Sequence, residues 1–334
     1  MRNYTKLLFT FVSFWFLAVT PNVLAQERES VRFGEVSTAQ STTLRSKPGT
    51  SGQVVLAQLA AGERLRWVEG VTKNGFFRVM TSRGRQGWIP VAAAHIERQV
   101  PVLLGASPPC ATTLTVCPNR GCSQAGSTHA LFNQTKRRAP LGTTPIALTF
   151  ADFLNIQEQA NVLVDQGLDL SAADRAKLKN LHVANGVVRE GSLVRTVGFI
   201  AQGLDPHANS GESVNCRRTE QASNDFHISL VERAGQNEFD GIVVEMIPQQ
   251  RPAKWTLTRL KNLKQQGRLV MIVGALFYDN DHVVNADPDN PLPGEPRRSS
   301  LWEIHRITRF FSCVKANNNC NPTKPSDWKA LEAP

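Results

Sequence analysis

The chain has 334 residues, of which 41% are hydrophobic and 20% are charged, and its formal net charge is +10. After residue 25 no apolar stretch reaches the roughly 20 residues that a helix needs to cross a bilayer, which excludes a membrane-spanning helix in that part of the chain. The basic runs are short and lack the interleaved aromatic residues of a groove for single-stranded nucleic acid. These runs are Lys136-Arg137-Arg138, Arg217-Arg218 and Arg297-Arg298.

Residues 1–25 have the pattern of a secretory signal peptide. Arg2 and Lys6 form a positive start, residues 7–19 form an apolar segment, and Ala25 is a small residue of the kind that signal peptidase reads. We expect cleavage near Ala25 and a periplasmic or secreted mature chain without a transmembrane segment. An uncleaved signal anchor is the alternative.

The charge of the mature chain points to anionic partners. Loss of Arg2 and Lys6 lowers the net charge by two, from +10 to +8. Basic exported proteins meet anionic polymers of the cell envelope, so a cell-wall peptide or another anionic envelope polymer is the expected partner. Nucleic acid stays among the candidates, and solubility alone is the competing explanation.

The cysteines indicate an oxidising compartment. An even number of cysteines in an exported chain predicts up to three disulfides. Cys313 and Cys320 enclose a short loop, so we expect these two to be bonded. The other cysteines would form the remaining bridges, in a pairing that the sequence leaves open: Cys110, Cys117, Cys122 and Cys216. A zinc site at Cys117-x4-Cys122 is the competing interpretation.

Residues 32–97 alternate short apolar runs with glycine turns, a pattern typical of a small β-barrel. Strands are predicted at residues 54–59, 65–68, 76–79 and 87–89. The informative motifs are Leu44-Arg45-Ser46-Lys47-Pro48-Gly49, Gly62-Glu63 and Gly87-Trp88-Ile89. Through them the segment resembles the bacterial Src-homology-3-like domains, apart from Thr43, where the family usually has asparagine. The resemblance implies an adaptor that binds cell-wall peptides or other ligands, with a structural spacer as the alternative.

The next two segments differ in composition. Residues 98–145 are rich in Pro, Gly, Ser and Thr and contain three cysteines, which predicts a disulfide-pinned connector packed on a second domain. Residues 146–190 are predicted to be helical. Thr149 is placed to cap one helix and Ser171 to cap a second, because their hydroxyls can accept from free backbone N–H groups.

Residues 191–312 read as a β-domain. Strands are predicted at residues 194–200, 226–231, 242–247, 269–277 and 302–310, with a helix at 255–263 before the fourth strand. This order is that of the OB fold, a five-stranded barrel. We therefore expect a mainly β protein with a few helices (α+β): a small Src-homology-3-like barrel, then an OB-like barrel with a helical insert. Residues 313–334 form a tail with a disulfide loop.

Motifs of the second half also resemble a family of exported bacterial proteins that has no assigned activity. The motifs are Leu131-Phe132-Asn133-Gln134-Thr135-Lys136-Arg137-Arg138, Gly211-Glu212-Ser213-Val214-Asn215-Cys216, Asp225-Phe226-His227, Val244-Glu245-Met246-Ile247-Pro248, Asp279-Asn280-Asp281-His282 and Trp302-Glu303-Ile304-His305. The resemblance covers most of residues 115–312. It implies a shared fold and supplies no reaction. Arg306 departs from the pattern, since proline is expected there.

Polar and apolar residues alternate in two of the predicted strands. Asp225 and His227 share one face, and so do Glu303 and His305, because side chains alternate along a strand. The candidate metal ligands are Asp225, His227, Glu245, Asp279, His282 and His305, and the candidate catalytic residues are His227, Glu245, Glu303 and His305. If the strands bring them together, these side chains could hold a divalent metal ion. Hydrogen-bonded histidines on a polar strand face are the structural alternative.

Two functions are compatible with these patterns. The first is an exported, non-catalytic envelope protein, whose first domain docks on wall material and whose OB-like barrel binds a second ligand around His227 and Glu245. The second is a metal-assisted hydrolase of a phosphodiester or a wall polymer. Without a metal, Glu303 with His305 could instead supply the base for hydrolysis. Motifs for nucleotide binding and for a serine hydrolase elbow are missing from the sequence. Binding is favoured because the catalytic candidates form no specific motif.

Overall fold

A computed structural model describes residues 34–49, 53–67, 75–82, 85–99, 109–164, 166, 170–209, 211–282, 284–285 and 297–333. The predicted signal peptide at residues 1–25 lies outside these described residues. Within them, every helix is too short or too polar to cross a membrane.

The first unit is a seven-stranded antiparallel sheet. Its strands are β1 (Gly34–Thr38), β2 (Thr42–Arg45), β3 (Val55–Leu59), β4 (Arg64–Trp67), β5 (Phe76–Met80), β6 (Gln86–Pro90) and β7 (Ala94–Gln99). They are ordered β3-β2-β6-β5-β4-β1-β7. Alternate residues point to one apolar cluster that includes Val36, Leu44, Leu65, Val79 and Ile89. The four strands predicted in this region are confirmed, and β1, β2 and β7 are additional.

The described residues of the second unit form four α-helices and ten strands. In chain order these are α1 (Thr128–Lys136), β8 (Leu141–Ala147), α2 (Phe150–Leu163), α3 (Ala172–Lys177), β9 (Leu181–Val183), β10 (Gly186–Val188), β11 (Ser192–Ile200), β12 (His207–Ala208), β13 (Phe226–Val231), β14 (Ile242–Met246), α4 (Leu257–Gln265), β15 (Leu269–Tyr278), β16 (Trp302–Cys313) and β17 (Trp328–Ala330). The five predicted strands and three predicted helices are confirmed, but residues 146–190, which were predicted to be helical, end in the hairpin of β9 and β10. The connector predicted at residues 98–145 contains α1 and most of β8, which the sequence analysis did not predict.

Five of these strands close into a barrel. The order β11-β13-β14-β16-β15 returns to β11, because β11 pairs with both β13 and β15. All of these pairings are antiparallel except that of β14 with β16, which is parallel. Gly274 permits the register shift between β15 and β16, since a Cβ there would lie 2.2 Å from the carbonyl oxygen of Arg306. The chain is thus mainly β, with a closed five-stranded barrel in its second half.

Helix α2 packs on the barrel because one of its faces is apolar. The Thr149 hydroxyl accepts from the Asp152 N–H at 3.1 Å, and the Asp152 carboxylate accepts from the Thr149 N–H at 2.8 Å, which completes a capping box. Phe153 and Ile156 are fully buried in the barrel's apolar cluster. Each such side chain contributes roughly 1.5–3 kcal/mol by leaving water. The Trp302 indole N–H donates to the Ile156 carbonyl at 3.1 Å, which fixes the helix against β16.

Three disulfides join Cys110 to Cys122, Cys117 to Cys216, and Cys313 to Cys320. The last is the pair predicted from its short loop. The zinc interpretation of Cys117 and Cys122 is wrong, because each of these sulfurs is bonded to another cysteine. The Cys117–Cys216 bridge spans 99 residues of sequence and ties the connector to the barrel domain. A crosslink that closes so long a loop stabilises a fold by about 4–5 kcal/mol in the chain-entropy account.

Candidate functional site

Four neighbouring strands place polar side chains in one row. His207 of β12 pairs with His227 of β13, His227 with Glu245 of β14, and Glu245 with His305 of β16. Residues directly opposite one another in adjacent strands project to the same side of a sheet. We call His207, His227, Glu245 and His305 the polar row. Their sequence neighbours Ile228, Val244 and Ile304 point the other way, into the apolar cluster of the barrel.

His305 lies at the inner end of the polar row and is 1% exposed. Its Nδ1 lies 2.7 Å from the backbone carbonyl oxygen of Lys136, which can only accept, so Nδ1 carries a hydrogen. Its Nε2 lies 2.8 Å from Glu245 Oε2 and 3.3 Å from Asp225 Oδ2. Burial and the charge of Lys136 oppose protonation, but the Asp225 and Glu245 carboxylates outweigh them and raise the pKa of His305 to about 10. At neutral pH His305 is therefore an imidazolium that donates from both nitrogens.

Lys136, the last residue of α1, supplies a second cation. Its Nζ lies 3.2 Å from Glu245 Oε2 and 3.7 Å from Glu212 Oε1, and its side chain is only 5% exposed. Burial disfavours the ammonium ion, yet Glu212 and Glu245 raise the pKa of Lys136 well above its ordinary value. Burial likewise opposes ionisation of Glu245, but Lys136 and the adjacent histidines hold the pKa of Glu245 well below its ordinary value. Both partners are thus ionised, and each stabilises the other.

The outer end of the polar row is closer to solvent. The rings of His207 and His227 are stacked with centroids 5.0 Å apart, and His207 is half-buried. His227 Nδ1 lies 3.2 Å from Glu245 Oε1, an oxygen that also accepts from the Asn209 amide at 3.3 Å. The row therefore runs from a partly exposed edge strand to a fully buried imidazolium.

A second charged group lies beside the polar row, since Glu303 and His305 are two residues apart on β16. Asp279 Oδ2 contacts His282 Nδ1 at 2.5 Å and Arg298 at 3.3 Å. Arg298 also pairs with Glu303. Burial opposes ionisation of Asp279, but His282 and Arg298 hold its pKa well below the ordinary value. For Glu303, burial and then the negative charge of Asp279 raise the pKa well above its ordinary value.

Helix α1 and the connector cover this face of the barrel. Phe132 packs edge-on against Phe277, with ring centroids 5.2 Å apart. The buried Asn133 amide donates to the Arg120 carbonyl at 2.8 Å and to Ser213 Oγ at 3.0 Å. The ligand face that the sequence analysis placed around His227 and Glu245 is therefore buried under α1, and a ligand cannot reach these side chains directly.

The structure brings the predicted site residues into two groups. Asp225, His227, Glu245 and His305 meet in the first, and Asp279, His282 and Glu303 meet in the second. Atoms of Asp225, Glu245 and His305 lie within 4.8 Å of one another, as do those of Asp279, His282 and Glu303. Each triad has the residue types of a metal site. In the described residues no hydrogen-bond donor reaches Asp225 Oδ1 or Glu303 Oε2, although both atoms are buried.

Four residues of these groups were not among the site residues predicted from the sequence: Lys136, His207, Glu212 and Arg298. Arg298 was considered only as a member of a short basic run, and Lys136 and Glu212 only as members of sequence motifs without an assigned role. The signal that could have found Lys136 is the nine-residue segment before it, residues 127–135, in which Ser127 caps a helix whose Phe132 and Asn133 face inward. His207 belongs to a two-residue strand, which is too short to show any period.

Comparison of the chain with protein-family models, with curated proteins and with solved structures found no match. The assignment of a function therefore depends on the geometry of the chain itself.

Proposed function

We propose that this chain is an exported cell-envelope binding protein. Its first unit is a Src-homology-3-like domain that docks on cell-wall material, and its second unit is an OB-like barrel that binds a second ligand or partner. The three disulfides support an oxidising compartment, because such bonds persist outside the cytosol. The strand order of the barrel supports the OB assignment: helix α4 follows the third barrel strand, and the third and fifth strands pair in parallel.

The mutual pairing of three buried charged residues carries the choice of binding over catalysis. Glu245, His305 and Lys136 are each at least 95% buried, and each contacts a group of opposite charge. A general base must lie within hydrogen-bond reach of the proton it removes from a substrate. Here the imidazole nitrogens of His305 are used by a carbonyl and by carboxylates, and α1 separates them from solvent. The group is suited to holding α1 on the barrel.

A cleft of about 580 Å³ between the two units is the favoured ligand site. One wall comes from the first sheet and includes Gln58, Glu63 and Arg85, and the other comes from the α2 side and includes Glu158 and Asn161. Ligand pockets of several hundred Å³ are common in proteins, and a few convergent polar groups orient the ligand. Amide, carboxylate and guanidinium groups together suit a polar peptide of the cell wall, which offers backbone amides and charged termini.

Calorimetric titration with soluble cell-wall peptides tests this proposal. Gln58 and Glu158 are exposed, so changing both to alanine should leave the fold intact while removing hydrogen-bonding groups from both walls. Two lost hydrogen bonds of about 1 kcal/mol each predict a Kd roughly 30-fold higher. The matched control changes Glu232 and Gln265 to alanine; these exposed residues lie outside the cleft lining. If both double variants bound the peptide with equal affinity, the cleft would not be the ligand site.

A metal-assisted hydrolase is the second candidate, favoured by the two triads of ligand atoms. The ammonium of Lys136 lies 3.2 Å from Glu245 Oε2, so a metal ion bound by Asp225, Glu245 and His305 would have to tolerate or displace that cation. Elemental analysis of protein purified from a periplasm, without chelator or histidine tag, tests it. About one zinc, manganese or iron ion per chain, lost in His305→Ala while the fold persists, would favour the hydrolase.

A further inference from the structure

Two disulfides of the connector lie side by side. The sulfur atoms of Cys110, Cys122 and Cys216 are all within 4.8 Å of one another, although Cys216 is bonded to Cys117. Backbone hydrogen bonds hold the two bridges in place. The Cys110 N–H donates to the Cys216 carbonyl at 3.2 Å, and the Cys122 N–H donates to the Ser213 carbonyl at 3.0 Å. The first bridge therefore stays next to the second.

A glycine makes this close approach feasible. Gly121 has a φ of +58°, and a Cβ at this position would lie 2.0 Å from the Ser213 carbonyl oxygen. Any side chain would push Cys122 away from the segment that carries Cys216. Glycine adopts a positive φ without steric cost, which explains its use at this contact.

The two bridges differ in access. Cys110 is exposed and Cys122 is half-buried, whereas Cys117 is 7% exposed and Cys216 is fully buried. An external thiolate must reach a sulfur atom in order to attack it, so exchange begins more readily at Cys110 than at the buried pair.

The bridges also differ in electrostatics. Arg137 Nη2 lies 3.3 Å from Cys117 Sγ. A neighbouring guanidinium stabilises a thiolate, and a thiol of lower pKa leaves faster in thiol–disulfide exchange. When the Cys117–Cys216 bond breaks, charge is therefore best accommodated on Cys117, which directs a nucleophile to Cys216.

We propose that these four cysteines form a thiol–disulfide exchange relay that takes electrons from an external dithiol. The dithiol attacks Cys110, the Cys110–Cys122 bond breaks, and the dithiol leaves as its disulfide after giving two electrons. The Cys122 thiolate then attacks Cys216 Sγ and forms a Cys122–Cys216 bond, and Cys117 is released as a thiolate beside Arg137. One proton of the dithiol ends on Cys110, and the other goes to solvent.

This relay goes beyond ligand binding, because it assigns the connector a redox partner of dithiol type. The bridge between the connector and the barrel is exchanged and not lost, since Cys122 takes the place of Cys117. The cover over the polar row is therefore retained while an internal thiol appears at Cys117.

Differential alkylation of the full chain tests the proposal. The protein is treated with one equivalent of dithiothreitol, quenched with acid, alkylated and digested without reduction. We expect alkylated Cys110 and Cys117 together with a peptide linked through Cys122–Cys216. Alkylated Cys110 and Cys122 with an intact Cys117–Cys216 peptide would overturn the relay. The remote Cys313–Cys320 bridge is the internal reference for direct reduction.

Two variants test the direction of transfer. In the double variant Cys110→Ser and Cys122→Ser, reduction of Cys117–Cys216 should slow at least tenfold relative to wild type, and an unchanged rate would overturn the relay. Arg137→Gln should lower the yield of the Cys122–Cys216 peptide several-fold, whereas Arg138→Gln, a change at the exposed neighbouring arginine, should not. Equal yields in the two arginine variants would contradict directed exchange. An unchanged reduction rate of Cys313–Cys320 shows that each variant is folded.

Discussion

The two units of this chain bury side chains of different chemical character. Among the described residues of the first sheet, Arg66 is the only buried residue with a charge. The other buried residues are apolar or neutral. The barrel has an apolar cluster on one side of its strands and a layer of titratable side chains on the other, of which Lys136, Glu245 and His305 are ionised. Burial of an unpaired charge costs several kcal/mol, so such a layer persists only when each charge finds a partner. The cover formed by α1 is therefore part of the barrel's stability.

Removal of the buried lysine should give the largest effect. Lys136→Met keeps an unbranched side chain but leaves Glu245 and Glu212 without their ammonium partner. Breaking a buried ion pair on one side costs about 3–5 kcal/mol. We expect the urea midpoint of unfolding to fall accordingly. The same substitution at Lys177, which is 52% exposed and pairs with Asp174, should cost less than about 0.5 kcal/mol. Similar losses at both positions would mean that the buried charges are not coupled.

The counterpart in the first unit is a substitution that creates a cavity in its apolar core. Leu44 is fully buried, and Leu44→Ala should lower the free energy of unfolding by about 3 kcal/mol, within the usual range for such truncations. Because no ionised group is unmasked, this loss should be the same at pH 7 and pH 9. A loss that varies between these pH values, measured by urea unfolding, would show that the two units are not distinguished by their charge.

The next largest effect on the free energy of unfolding should come from the titration of His305. Its folded pKa is raised from 6.5 to about 10, so its stabilising contribution is complete below pH 6.5 and is lost as the pH rises through 10. The free energy of unfolding should therefore fall by up to about 1.4 kcal/mol per pH unit in that window. The raised pKa of Glu303 acts in the same direction, so the effect of His305 is the difference between wild type and His305→Gln.

The comparison with His305→Gln decides the assignment. Glutamine can still donate to a carboxylate but does not titrate. The free energy of unfolding of the His305→Gln variant should therefore change less between pH 7 and 10 than that of wild type. Parallel curves for the two proteins would place the pH dependence elsewhere. Thermal unfolding at each pH provides a second measurement of the same difference.

The barrel strands could be predicted from the sequence because they are continuous apolar or alternating segments. Residues 269–277 are apolar almost throughout, as a strand buried on both faces must be. The pairing partners of these strands could not be predicted from the sequence. The parallel contact of β14 with β16 joins residues about 60 positions apart, and nothing local in either strand specifies that Glu245 lies opposite His305.

The cover was harder to predict than the barrel, for a physical reason. Helix α1 lies in a segment rich in helix-breaking and turn-forming residues, and its buried face includes Asn133, Thr135 and Lys136. A periodicity analysis looks for apolar residues at helical spacing and finds few here. Polar residues can line a buried face when the surface beneath them is also charged. The buried face of α1 can therefore be interpreted only together with the charged surface of the barrel beneath it.

The smallest predicted effect concerns the cap of α2, the helix that packs on the apolar cluster of the barrel. Thr149→Ala removes the hydroxyl that accepts from the Asp152 N–H, and it frees Asp152 from one of its hydrogen bonds. Loss of an N-cap typically costs about 1 kcal/mol. Thr149→Ser keeps the hydroxyl and should recover most of that loss in urea unfolding. Because α2 contacts the barrel through Phe153 and Ile156, the destabilisation should be independent of pH between 7 and 10, in contrast to that of α1 variants. A pH-dependent cost at Thr149 would mean that the two helices depend on the same charges, and that the apolar and ionic faces of the barrel are not separate.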